Sequence, residues 1–116
     1  MKKQLLSALI SASLFAPMAV SAADYVIDTE GAHASITFKV NHLGYSYVVG
    51  RFNDFSGDFS YDAAKPTAMK VNVTVNTLSV DSNHAERDKH IRGEDFLNTG
   101  KFAKATFAST SVEDKG

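Results

Sequence analysis

The sequence predicts an all-β fold of antiparallel strands with one short inserted helix, and three observations carry that prediction. Apolar and polar residues alternate with period two in three separate stretches. The breaks between those stretches suit antiparallel connections. One dense polar block, Asn83 to Asn98, interrupts the alternation and reads as a helix with its caps.

In chain order, the first element is a leader rather than part of the fold. Lys2 and Lys3 form a positive start, Leu5 to Val20 is largely apolar, and Val20-Ser21-Ala22 offers the small residues a signal peptidase needs. A cleavable signal peptide over residues 1–22 is therefore expected, with export to the periplasm. Pro17 interrupts the apolar stretch, which is short for a span, so no stable membrane insertion is expected. The chain has no cysteine, which removes both the usual bacterial lipid-attachment site and any disulfide. Residues 23–116 then form part of one small domain. Without Lys2 and Lys3 that part carries 10 basic against 13 acidic residues, a net charge of −3. Such mild acidity argues against nucleic acid as a partner, since a phosphate backbone calls for a basic stripe.

A short strand is expected at Tyr25 to Asp28. In the next one Ile36, Phe38, Val40 and His42 share a face, with Ser35, Thr37, Lys39 and Asn41 opposite. Tyr47 to Phe52 supplies a third piece. Phe55, Gly57, Phe59 and Tyr61 alternate with Ser56, Asp58, Ser60 and Asp62, after which Ala64-Lys65-Pro66 breaks the sheet. Met69, Val71, Val73 and Val75 alternate with Lys70, Asn72, Thr74 and Asn76, and a last strand begins near Ala105 with Phe107 inward. The count is about six strands.

The block between the last two strands is too long and too charged for a plain turn. Asn83 followed by Glu86 has the spacing of a capping box, which predicts a helix from about His84 to Arg92. Gly93 stands where a left-handed cap belongs, and the pairs Glu86 with His90 and Asp88 with Arg92 are one turn apart. Only Ala85 and Ile91 could face a core, so this helix is expected to lie across a surface or an opening.

Arg87-Asp88-x-His90-x-Arg92 followed by Asp95-Phe96-Leu97-Asn98, together with Asp24-Tyr25 to Asp28 and His42-Leu43-Gly44-Tyr45, resembles the YceI-like family. The resemblance runs through nearly all of the chain after the leader. It implies a secreted, lipocalin-like antiparallel β-barrel that binds a polyisoprenoid lipid, polyprenyl or quinone-like, and it supplies neither a catalytic residue nor a cofactor. Alternation alone leaves the interior open: Gly44, Gly50 and Gly57 could serve turns and bulges, or could leave room for a ligand. The family resemblance tips the reading toward a cavity. Its apolar lining would then be Ile36, Phe38, Val40, Phe55, Phe59, Met69, Val71, Val73, Val75 and Phe107, each of which could equally be plain core. His42, Arg87, His90 and Arg92 would form the polar mouth, although an arginine-rich helix also reads as a solvated face.

Two other function classes compete. His84 with Asp88, or Glu86 with His90, could offer two metal ligands for a binding site or a hydrolase, but no His-Glu-x-x-His run and no third ligand is fixed by spacing. A structural β-domain without ligand would fill its interior with its own side chains. Nucleophilic catalysis has no Gly-x-Ser-x-Gly elbow and no cysteine to rest on. Finally, Glu113-Asp114-Lys115-Gly116 has the composition of a hairpin turn, and six strands do not close an eight-stranded barrel. The chain is thus expected to be an amino-terminal part of its domain, with closing strands still to come. A last strand left as an open edge could also pair with a second copy in a homodimer.

Overall fold

In the computed structural model, residues 22–116 are described, and residues 1–21 of the expected signal peptide lie outside them. The described residues form seven strands, β1 Ala23–Val26, β2 Ile36–His42, β3 Ser46–Phe52, β4 Phe55–Tyr61, β5 Lys70–Asn76, β6 Val80–Asp81 and β7 Lys104–Ala108. One helix, α1 Ala85–Arg92, stands between β6 and β7. All pairings are antiparallel and fall into two sheets, one ordered β1-β4-β5-β7 and the other β2-β3-β6. Among the described residues these sheets are not joined into a closed barrel.

The period-two pattern sets the registers. In the larger sheet Phe59 lies between Tyr25 and Val71, Gly57 is opposite Val73, and Val73 is opposite Phe107, which gathers the alternating apolar set on one face. Tyr25 and Phe59 stack with ring centroids 5.0 Å apart. In the smaller sheet Ile36 faces Phe52, Phe38 faces Gly50, and Val40 faces Val48. Phe52 continues the row to Val80 of β6.

Both strand glycines are occupied by neighbours rather than left as gaps. A Cβ on Gly50 would run into the Phe38 ring, and one on Gly57 would lie 2.7 Å from both the Asn72 carbonyl oxygen and Ile27 Cδ1. The side chains that would collide already fill the space, so neither glycine opens an interior void. Gly44 has a different task. It follows Leu43 in the turn from β2 to β3, and both hold positive φ, 81° and 57° respectively.

Strand boundaries differ from expectation by one or two residues. Met69 caps a 3₁₀ turn over Pro66–Ala68, its N–H donating to the Pro66 carbonyl, so β5 starts one residue later than the alternation indicates. The first strand begins earlier, at Ala23, although Ile27 N–H still donates to the Gly57 carbonyl at 2.9 Å beyond its end. The two-residue strand β6 went unforeseen because two residues carry no periodicity. It is reached through a 3₁₀ turn, Thr77–Ser79, in which the Asn76 side chain accepts from Leu78 N–H. That turn carries the chain from one sheet to the other.

Candidate ligand-binding cleft

The polar block does fold as a helix and a returning loop, but its caps are not the expected ones. Asn83 is left-handed, φ 63°, and donates its N–H to Asp81 Oδ1 at 2.9 Å. The extended residue that starts the helix is His84, whose Nδ1 accepts from Arg87 N–H at 3.2 Å. Gly93 is not left-handed either, having φ −73°. The helix carbonyls are instead taken up by the loop that folds back: Leu97 N–H donates to Ile91, and Thr99 donates to Arg92 through both N–H and hydroxyl. A tight left-handed exit is unnecessary when partners return from within seven residues of following chain. Asn98, φ 45°, makes the turn within that loop.

The two expected side-chain pairs do not form either. Asp88 is buried and turns to Ser82, accepting from its N–H at 2.8 Å and from its hydroxyl. Arg87 grips the same residue from the other side, donating through Nε to the Ser82 hydroxyl at 2.8 Å and through Nη2 to the Ser82 carbonyl. Two consecutive helix residues of opposite charge therefore clamp Ser82, which follows directly on β6. His90 lies 3.6 Å from Asp95 rather than pairing with Glu86, and its ring meets Phe96 edge-on at 5.0 Å between centroids.

With the helix pinned to β6, its inner side and the loop close over the smaller sheet. The result is a cleft of about 660 Å³ lined by Phe38, Val40, Asn41, His42, Val48, Phe52, Val80, Arg87, His90, Ile91, Phe96 and Leu97. Of the expected lining it brings together Phe38, Val40, His42, Arg87 and His90. Arg92 and Ile36 are not on it. Phe59, Met69, Val71, Val73, Val75 and Phe107 belong to β4, β5, β7 or the turn before β5, away from this lining, while Phe55 lines a smaller recess of about 410 Å³ with Thr74, Leu78 and Lys104. Alternation placed the expected lining in one inward row per strand, whereas the cleft takes the consecutive residues Val40, Asn41 and His42 of β2. The rows belong to two different sheets, which alternation along a single strand cannot reveal.

Val48, Phe52, Val80, Phe96 and Leu97, together with Asn41 and Ile91, are lining residues that sequence reasoning did not name. A signal existed for the first two, since a β2–β3 hairpin turning at Leu43-Gly44 sets Val48 against Val40. For Ser82 no signal was present, because a serine carries no mark of the clamp it will enter.

His42 faces Ser46 across the hairpin, with Nδ1 3.4 Å from its hydroxyl. Of the two ligand pairs in the alternative metal reading, His84 with Asp88 is engaged elsewhere. His84 Nδ1 caps the helix and Asp88 holds Ser82, and no group of three or more metal-ligating side chains occurs among the described residues. On the outer side of β3 and β6, Asp81 accepts from Asn83 N–H and from the Asn53 side chain at 3.1 Å. These bonds, helped by the Arg51 charge and opposed by burial, hold its carboxyl below the ordinary 3.8.

Two antiparallel sheets with an apolar cleft under a helix place the chain in the all-β class. The chain belongs to the YceI-like family, whose domain model matches residues 25–116. It is 97% identical over all 116 residues to a UPF0312 protein of Shewanella oneidensis, and 96% identical to one from Shewanella putrefaciens. In both cases the match covers 61% of the relative, so the chain spans about three-fifths of the length of these curated relatives. Among solved structures, Burkholderia cenocepacia BcnA superposes with a TM-score of 0.69 at 22% identity, over 77% of this chain and 55% of that one. That likeness shows the fold. The Campylobacter jejuni YCEI protein gives a TM-score of 0.56 at 33% identity, over 74% of this chain and 50% of the other.

Proposed function

We propose that this protein is an exported, periplasmic binding protein that holds a polyisoprenoid or similar long-chain lipid in its apolar cleft and releases it chemically unchanged, as a carrier or a store. The observation that carries the reading is the lining. Eight of its twelve side chains are aliphatic or aromatic, drawn from β2, β3, β6, α1 and the loop after it. A cleft of about 660 Å³ is within the range that takes one small organic ligand. Burial of an alkyl or prenyl tail yields roughly 0.8 kcal/mol per methylene-sized group, so six such groups supply about 5 kcal/mol before ordering costs. Binding of that strength needs no catalytic group. The basic, apolar and small-residue regions of the first 22 residues support export.

The test is native mass spectrometry of the protein prepared without detergent, alongside the longer Shewanella oneidensis relative, followed by solvent extraction. A stoichiometric polyprenyl or quinone species in the extract is the expected result. A bare protein that takes up no added prenyl lipid would favour a structural domain, and a bound metal ion would replace the lipid reading.

A further inference from the structure

We infer that the tip of the β2–β3 hairpin is a membrane-docking surface, seating reversibly on a bilayer with anionic headgroups through Leu43 and Tyr45, with Tyr47 and Lys39 behind them. Such docking needs no cargo and holds whether or not the cleft carries a lipid. Its basis is a cluster of apolar side chains turned to water: Tyr45 is 77% exposed, Leu43 74%, Val49 60% and Tyr47 57%. Clustering on one short element marks a contact surface, where scattered single residues would not.

Leu43 is the sharpest sign. It holds φ 57° in the turn between His42 and Ser46, a left-handed conformation that asparagine or glycine takes more readily than leucine. An exposed leucine there serves neither the turn nor a core. The turn is closed by other groups, since Gly44 N–H donates to Asn41 Oδ1 at 2.7 Å and Tyr45 N–H to the His42 carbonyl at 3.4 Å. Tyrosines beside an apolar tip have the chemistry of a lipid–water boundary, with a ring for the acyl side and a hydroxyl for the headgroups.

The charge around the tip has the matching sign. No aspartate or glutamate occurs from Gly31 to Asn53, although residues 23–116 carry a net −3. Lys39 reaches toward the tip, its Nζ 3.9 Å from the Tyr47 ring centroid, while Arg51, at the far end of the hairpin, donates to Asn53. Other exposed apolar residues have acids for neighbours: Val26 lies between Asp24 and Asp28, Tyr61 next to Asp62, and Phe96 next to Asp95. An anionic surface repels those places and accepts the hairpin. Asn41 and His42 end β2 and also line the cleft, so docking at the tip sets one end of the cleft against the bilayer. A lipid entering or leaving there would not cross open water.

Vesicle flotation tests the inference, using the exported form purified from the periplasm so that the basic, apolar leader does not contribute. The vesicles are phosphatidylcholine alone, or equal parts phosphatidylcholine and phosphatidylglycerol. Binding to the mixed vesicles is expected to be about fivefold tighter than to phosphatidylcholine, and to weaken in high salt. Leu43→Asn combined with Tyr45→Gln should weaken binding about tenfold or more, yet leave the urea midpoint unchanged or raised, because asparagine suits the left-handed turn. Lys39→Gln should abolish the preference for mixed vesicles, and Lys65→Gln, between β4 and β5, should leave it intact. Absence of flotation, or flotation that survives the loss of Leu43 and Tyr45, would overturn the inference. Equal binding to both vesicle types would overturn the anionic surface. A dimer that dissociates in the tip variant, without vesicle binding, would assign the patch to a second copy instead. Flotation by a protein that takes up no prenyl lipid would support the docking while the cargo reading fails.

Discussion

The junction of β6 with α1 and the apolar face of the β1-β4-β5-β7 sheet are built on opposite principles. At the junction Val80 is the one buried apolar side chain among the described residues, and the buried polar ones, Thr77, Ser82, Asp88 and Thr99, each have a hydrogen-bond partner. On the sheet the apolar side chains are aligned in register yet remain partly open, with Phe107 59% exposed. The most protected part of the molecule is thus held by polar groups, and its most regular apolar surface is the least covered. Burial here follows from satisfied hydrogen bonds that bring a polar loop back onto its own helix, not from hydrophobicity alone.

The sharpest way to break this contrast is Asp88→Ala. It would leave the Ser82 N–H and hydroxyl without their shared acceptor in a buried setting, at about 3 kcal/mol. Urea unfolding measures the loss, and Arg87 should lose its fixed orientation with it. A loss below 1 kcal/mol would mean the clamp is decoration and the junction is held by Val80. Gly50→Ala attacks the other kind of packing. Its Cβ would meet the Phe38 ring, which must then leave the cleft wall, and overpacking of this kind costs about 2 kcal/mol. Stability and prenyl-lipid affinity should fall together. By contrast Phe107→Ala, on the open face of the larger sheet, is expected to cost no more than about 1 kcal/mol, because much of its ring is already in water. A larger loss would show that this face is covered in solution, by more of the protein or by a second copy.

The strands were legible because period two is written into each of them separately. Ile36 to His42 and Phe55 to Tyr61 could be placed on their faces from side-chain type alone. The cleft was legible only in part. Phe38, Val40, His42, Arg87 and His90 were named from the sequence, but of the remaining expected lining all except Ile36 and Arg92 belong to the larger sheet or the turn before β5, which alternation assigned to the same interior. Which sheet a strand joins depends on long-range pairing, and the switch happens at Thr77–Ser79, where nothing in the pattern announces it. The helix was predicted from caps that turned out to be wrong. Asn83 and Gly93 have the right chemistry for their expected positions, yet Asp81 and the returning loop satisfy the same backbone groups first.

The smallest expected effect lies at the outer edge of the junction and tests how far the polar network extends. Asp81 joins β6 to β3 through Asn53 and starts the turn into the helix through Asn83 N–H. Its carboxyl is held below its ordinary 3.8, chiefly by the Asn83 N–H and then by Asn53. A carboxyl depressed in the folded state stabilises it most when ionised. The contribution is therefore fully present above about pH 3.8 and disappears as pH falls through the lower folded value. Asp81→Asn keeps the side-chain oxygen but cannot ionise. The difference in urea midpoint between Asp81→Asn and the unmodified protein should be constant from neutral pH down to about 4 and close below it. A gap that persists unchanged into stronger acid would assign the effect to geometry rather than charge. The polar network would then end at Ser82, leaving the β3–β6 edge to be held by Phe52 and Val80 alone.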